Sequence, residues 1–284
     1  MKVGFIGLGN VGGKLSGSLL RNGIELSVHD LNSDLVAGAV ALGATDGQSP
    51  GHLMQTCDVV ITCLPSPAAS DAVMSQMIDH GKSGWRCRPR TRPKCAGWVN
   101  WLPTRAGKPL IALFRVGVIV PIQGTFRSFA GCEREAFETV LPLLTILGRR
   151  VLHTGDLGSA SVLKVITNYL ATANLVTCAE ALTVAKAAGM DLATAYKAIA
   201  ISSGTSFVHE TESQVILNGS RDISFTMDLV AKDIGLFQAV ADRAKVPLEI
   251  NPMLINIFND GIERFGPREL SPNIIKRLEE ATGP

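Results

Sequence analysis

The sequence predicts an N-terminal α/β domain and an all-α C-terminal domain, joined by one long helix. Three observations carry this. The first 64 residues alternate short apolar runs with helical patterns, as βαβ units do. From Ser159 an Ala/Leu/Val-rich stretch runs without Pro or Gly to Gly189, long enough at about 1.5 Å per residue to span a domain. Beyond it the periodic segments are helical. A length of 284 residues suits about two domains, and we place the boundary between 1–155 and 156–284.

Residues 2–6 form a short apolar run, read as a buried strand. Gly7-Leu8-Gly9-Asn10-Val11-Gly12 follows, then a helical pattern through Leu19 and Leu20. This is GxGxxG between a strand and a helix, the Rossmann arrangement. The first glycine makes the tight turn, the second admits a pyrophosphate close to the backbone, and the third lets helix pack on strand. A second strand, 25–29, ends in Asp30. An acidic side chain there accepts hydrogen bonds from a ribose 2′-hydroxyl and repels a 2′-phosphate, so NAD is expected ahead of NADP. Asn32 is placed to cap a helix over 32–42, and Asp30 is placed to share that role. A helix over 50–56 precedes a strand over 57–64. The loop leaving its C-terminal end begins Leu64-Pro65 and lies where such sheets bind cofactor, so both are candidate nicotinamide-side contacts.

A helix is expected over 134–147, ending at Gly148, and an edge strand over 149–153. Gly155-x-x-Gly158 makes a turn, and Ser159 is placed to cap the long helix. Lys164 is the sole charge in that helix's first half, and Asn168 lies one turn on, on the same face. An ammonium beside an amide on an apolar helix can hold and protonate a substrate oxygen; a surface lysine beside a polar neighbour is equally compatible with this stretch alone. Further helices are expected over 191–201, with Asp191 as cap, and over 225–245, 251–264 and 274–281. The polar turn 202–206 either faces a substrate cleft or simply connects helices. Lys232, read by itself, is a solvated lysine. His153 and His209 have no partner at ligand spacing and read as structural.

No run reaches the roughly 18 apolar residues of a membrane span, so no membrane partner is expected. The N-terminus is too short and Gly-rich for a signal peptide, so a cytoplasmic protein is expected. Six cysteines are scattered without a CxxC pair, so neither a zinc site nor a disulfide framework is indicated. The net charge of +2 conceals an asymmetry: residues 86–127 hold nine Lys/Arg and no acid, leaving 18 basic against 25 acidic residues elsewhere. A basic block ordinarily suggests phosphate or nucleic-acid partners.

GLGNVG at 7–12, the strand ending in Leu64-Pro65, Gly155-x-x-Gly158 with Lys164 and Asn168, and the stretch from Phe225 to Lys232-Asp233 together resemble the beta-hydroxyacid dehydrogenase family. That family includes 3-hydroxyisobutyrate dehydrogenase and tartronate semialdehyde reductase. The resemblance covers residues 1–85 and 128–284. It implies a Rossmann domain, an all-helical C-terminal domain and a helix linking them. It also implies Lys164 as catalytic acid/base, Asn168 as a substrate contact and Lys232 near the cofactor. The expected activity is NAD-dependent oxidation of a small beta-hydroxy acid, or reduction of its semialdehyde, by a homodimer or homotetramer. As a base, Lys164 needs its pKa lowered toward the working pH, which burial and a nearby cofactor cation provide.

By that resemblance two more motifs belong before the long helix: a D/E-x-S-T-like turn, and D-x-P-V-S-G-G, whose serine and glycines bind the substrate carboxylate. Residues 86–127 carry neither. A one-base shift of frame lets 110–117 encode DRPVSGG, 86–90 encode EMSTT and 118–126 a run such as HRADTGNIS, with the length unchanged. We therefore read 86–127 as translated out of frame, between compensating single-base changes near codons 85 and 128. The basic block is then an accident of translation and not a nucleic-acid site. In the chain as it stands Arg115 replaces the substrate serine, and Val116 and Gly117 the glycine pair, so Arg115 and Gly117 join the candidate substrate contacts. A guanidinium binds carboxylate by charge, without the family's geometry. Strands are expected over 110–114 and 116–122, and a disordered or strained loop over 86–94. The alternative function is an NAD-binding remnant with impaired catalysis.

Overall fold

The computed structural model describes residues 1–79, 100–103, 111–115 and 126–282. The chain divides into two compact units, Met1–Lys164 and Val165–Pro284.

The first unit is built on a five-stranded sheet in the order β3-β2-β1-β4-β5. β1 (Val3–Ile6), β2 (Leu26–His29), β3 (Thr45–Asp46) and β4 (Val59–Thr62) are parallel. Parallel strands joined through helices are covered on both faces, so they read as continuous apolar runs. Their period of two divides those runs between the faces. Val3, Phe5, Val59 and Ile61 pack with Leu15 and Leu19 of α1 (Gly12–Arg21). Ile6 and Val60 turn the other way, onto Leu53 of α3 (Pro50–Thr56) and Met77 of α4 (Pro67–Asp79). Between β2 and β3 runs α2 (Ser33–Ala41), capped by Asn32, whose side chain accepts from Asp34 N.

A second sheet, β6-β7-β8, follows. β6 (Ile111–Arg115) pairs antiparallel with β7 (Phe126–Gly131), which runs parallel to β8 (Gly148–Gly155). α5 (Arg134–Leu147) lies between β7 and β8 in sequence and buries Phe137, Val140, Leu143 and Leu144 in the core that holds α1. The strand expected over 110–114 is thus present as β6, and the edge strand at 149–153 as β8. The strand expected over 116–122 and the loop over 86–94 lie outside the described residues.

α6 (Ser159–Ala187) runs through the division into the second unit. That unit continues with α7 (Leu192–Ala200), α8 (Phe207–Leu217), α9 (Met227–Ala244), α10 (Ile250–Phe265), a 3-10 turn Ser271–Ile275 and α11 (Lys276–Thr282). Its core is Leu175, Leu182, Met227, Ile234, Leu254, Phe258 and Ile274. α10 approaches α9 through Gly261, where a Cβ would lie 2.6 Å from Ile274 Cδ1 and 3.2 Å from Met227 Sδ. α6 has the length and hydropathy of a membrane span, although its C-terminal half packs into this core through Leu175, Val176, Ala179 and Leu182.

Four features depart from expectation. Ser159 does not cap α6; it is the helix's first residue, and its Oγ lies 2.7 Å from Thr154 Oγ1. Pro67 begins α4 instead of extending a loop, with Ser66 Oγ accepting from Ala69 N at 3.1 Å, a position where proline's missing N–H costs nothing. α8 escapes the periodicity because half its buried face is polar: His209 and Ser213 lie between Val208 and Ile216. Those two satisfy each other, Ser213 Oγ to His209 Nδ1 at 3.2 Å, with His209 Nε2 3.0 Å from Tyr196 O. Asn100–Pro103, for which no element is expected, forms β5, antiparallel to β4.

Candidate active site

The glycine motif forms the tight connection from β1 to α1. Gly7 has φ +93°, and a Cβ there would stand 2.2 Å from Cys63 O. A Cβ on Gly12 would stand 1.8 Å from Gly7 O, whereas one on Gly9 would meet nothing within 4 Å. The first and third glycines are therefore fixed by backbone contact, and the second borders open space. Leu8 is buried, Asn10 is exposed, and Val11 precedes α1. No side chain caps α1 and no acid sits in its first turn, so its N-terminal dipole remains uncompensated by the chain and favours an anion.

Asp30 follows β2 and grips the motif from below. Leu8 N donates to its Oδ2 at 2.6 Å and Asn32 N to its Oδ1 at 2.9 Å. Leu64 and Pro65 leave β4 at the same sheet end, because Thr62 pairs with Ile6 and Cys63 N donates to Ile6 O at 2.8 Å. Leu64 Cδ2 comes within 3.3 Å of the Cβ position at Gly7. The structure thus brings Gly7–Gly12, Asp30 and the 64–65 loop together.

Lys164 and Asn168 lie one turn apart on α6, both half-buried. Asn168 Nδ2 donates to Asp233 Oδ2 at 2.5 Å, and Lys232 Nζ lies 3.5 Å from Asp233 Oδ1. Asp233 and Lys232 are neighbours on α9. Arg115 is the last residue of β6, paired with Arg127 of β7. Gly117 lies outside the described residues.

Two family models match. Residues 2–86 match the NAD binding domain of 6-phosphogluconate dehydrogenase, and residues 158–276 the NAD-binding domain of NADP-dependent 3-hydroxyisobutyrate dehydrogenase. The chain is 29% identical to 2-(hydroxymethyl)glutarate dehydrogenase of Eubacterium barkeri, covering 100% of this chain and 96% of that protein. It is 28% identical to the NAD-dependent L-serine dehydrogenase of Pseudomonas aeruginosa, covering 99% and 98%. A solved 3-hydroxyisobutyrate dehydrogenase from Mycobacterium tuberculosis shares the fold, with TM-score 0.74 at 19% identity over 98% of each chain.

The chain belongs to the beta-hydroxyacid dehydrogenase family. It is a member of a family of NAD(P)-dependent oxidoreductases. In this dehydrogenase the residues present suit a dinucleotide: open space at Gly9 leaves room for a pyrophosphate, and the uncapped α1 terminus faces it. Cys63, beside the turn, has its thiol pushed up to about 11 by burial, so it is a neutral group at physiological pH and no nucleophile.

Asp233 falls within the stretch that resembles the family, where the sequence alone gives it no role. It is buried (4% exposed), accepts from Asn168 and lies 3.5 Å from Lys232 Nζ. The available signal was an acid next to Lys232 on a helix that must otherwise bury Val230 and Ile234.

Proposed function

We propose that this dehydrogenase uses NAD to oxidise a small acid whose alcohol lies beta to a carboxylate, or reduces the matching semialdehyde. The observation that carries the reading is the pairing of Lys164 with Asn168, one turn on along α6 and itself held by a buried carboxylate. The substrates in the two curated relatives' names, 2-(hydroxymethyl)glutarate and L-serine, share a hydroxymethyl group on the carbon bearing a carboxylate. A 3-hydroxyisobutyrate-like substrate has the same unit. Lys164 accepts the hydroxyl proton during oxidation and returns it during reduction, while Asn168 orients the substrate. NAD, when bound, supplies the hydride acceptor. Lys232 is assigned to the cofactor by the family resemblance alone.

The preference for NAD rests on the end of β2. A carboxylate has about four lone-pair positions, so Asp30 retains acceptor capacity for ribose hydroxyls beyond its two backbone bonds. Next to it Leu31 is 99% exposed and apolar, and residues 30–35 contain no cation to hold a 2′-phosphate.

The test is NAD-dependent oxidation of 3-hydroxyisobutyrate and L-serine by the native chain and Lys164→Ala. The variant is expected to lose about 10²–10⁴-fold in kcat, with NAD affinity unchanged. A second reading, an NAD-binding remnant, is favoured by Arg115: β6 forms, yet it ends in arginine where the resemblance puts the substrate serine. Under that reading NAD still binds, turnover is negligible and Lys164→Ala changes almost nothing. Intact mass and peptide mapping over 82–132 on protein from its native source then distinguish DRPVSGG-like peptides from RCRPRTRPK and GVIVPIQGTFR.

A further inference from the structure

We infer that Asp233 is a positioning residue of this site: it fixes which way the Asn168 amide points. The inference rests on the proposal above that Asn168 binds substrate. Asp233 is buried in α9 and Asn168 is half-buried in α6, 65 residues apart in sequence, and they meet at 2.5 Å. An ionised carboxylate only accepts hydrogen bonds. The Asn168 group facing Asp233 is therefore its NH2, and the carbonyl Oδ1 is turned away. Without that carboxylate the amide has two orientations of similar shape, one presenting an acceptor to a substrate hydroxyl and the other a donor. Asp233 removes this ambiguity. Its second oxygen lies 3.5 Å from Lys232 Nζ, so one carboxylate ties the Asn168 amide to that lysine. A charge-assisted bond of this kind is short and stronger than a neutral one, and holding a contact group in a single orientation is what effective positioning requires.

The test has one arm that needs no turnover. In isotope-labelled protein, the Asn168 side-chain amide signal is identified by its loss in Asn168→Ala, and its exchange with solvent is measured. In Asp233→Ala the exchange is expected to quicken by about ten- to hundredfold. Unchanged exchange overturns the inference. The second arm is kinetic. Asp233→Ala lowers kcat by about ten- to hundredfold and leaves NAD affinity within about twofold. Asp233→Asn, which keeps an oxygen acceptor, restores most of the loss. In an Asn168→Ala background Asp233→Ala costs nothing further. Losses that multiply across the two sites, or weakened NAD binding with normal kcat, overturn it, the latter because the carboxylate then acts through Lys232. Should Asp233→Ala not fold, Asp233→Leu, of similar length and apolar, is read in its place. If the native chain turns over no hydroxy acid, the substrate reading fails, and the exchange arm still decides the role of Asp233.

Discussion

At the scale of single residues, the cofactor turn is set by collisions that allow no alternative. Gly12→Ala would place a methyl carbon 1.8 Å from Gly7 O. We expect it to weaken NAD binding by at least about tenfold, the equivalent of about 1.4 kcal/mol, as read by titration calorimetry, because β1 and α1 must part to admit it. Gly12 is legible in the sequence since its clash is with Gly7, five positions back, whereas the clash that fixes Gly7 is with Cys63 O and appears only on folding. Asp30 is only half legible. Its acidity is visible, but its bond to Leu8 N spans 22 positions and appears only on folding. Asp30→Ala should accordingly cost more NAD affinity than the ribose contacts alone. Asp233 is the extreme case, since nothing within several residues of Lys232 reveals that its partner is Asn168 on another helix.

At the scale of elements, boundaries written by local chemistry emerge from the sequence and those written by partners do not. Asn32 and Asp191 are visible caps, and both accept from the expected amides. α8 is hidden because its buried face mixes Val208 and Ile216 with His209 and Ser213, which breaks the apolar period. The polar turn 202–206 leaves two readings open; the structure shows that it delivers Ser206 as the N-cap of α8, its side chain accepting from His209 N at 3.0 Å. Ser206→Ala is expected to destabilise the protein by about 1 kcal/mol, seen as a lower thermal midpoint with NAD affinity unaltered. β5 is illegible for another reason: its residues carry no strand alternation, and only the exposed hydrogen-bonding edge of β4 recruits them.

At the scale of the molecule, the existence of two units follows from alternation and helix length, whereas the strand order and the two cores follow from shape. Phe258 is wholly buried among Met227, Leu254 and Ile274, and Phe258→Ala should cost about 3–5 kcal/mol in denaturant unfolding. Alkali provides a further check. Cys63 and Cys132 have their thiols pushed up to about 11 from 9.0, by burial in both and additionally by the Glu133 charge at Cys132. Folding therefore favours the protonated thiols. The stability they contribute is complete below about pH 9 and falls as pH rises toward 11, so unfolding midpoints should drop across that window, and less so in a Cys63→Ala, Cys132→Ala double variant. One consequence of the antiparallel fifth strand concerns life at high concentration. Val59–Thr62 is wholly buried and apolar apart from its last residue, a ready template for another chain's backbone if its free side lay bare. Asn100–Pro103 occupies that side, and Pro103 has no N–H to offer a newcomer. With Asn100–Pro103 in place, that side of β4 offers no bare backbone for another chain to extend.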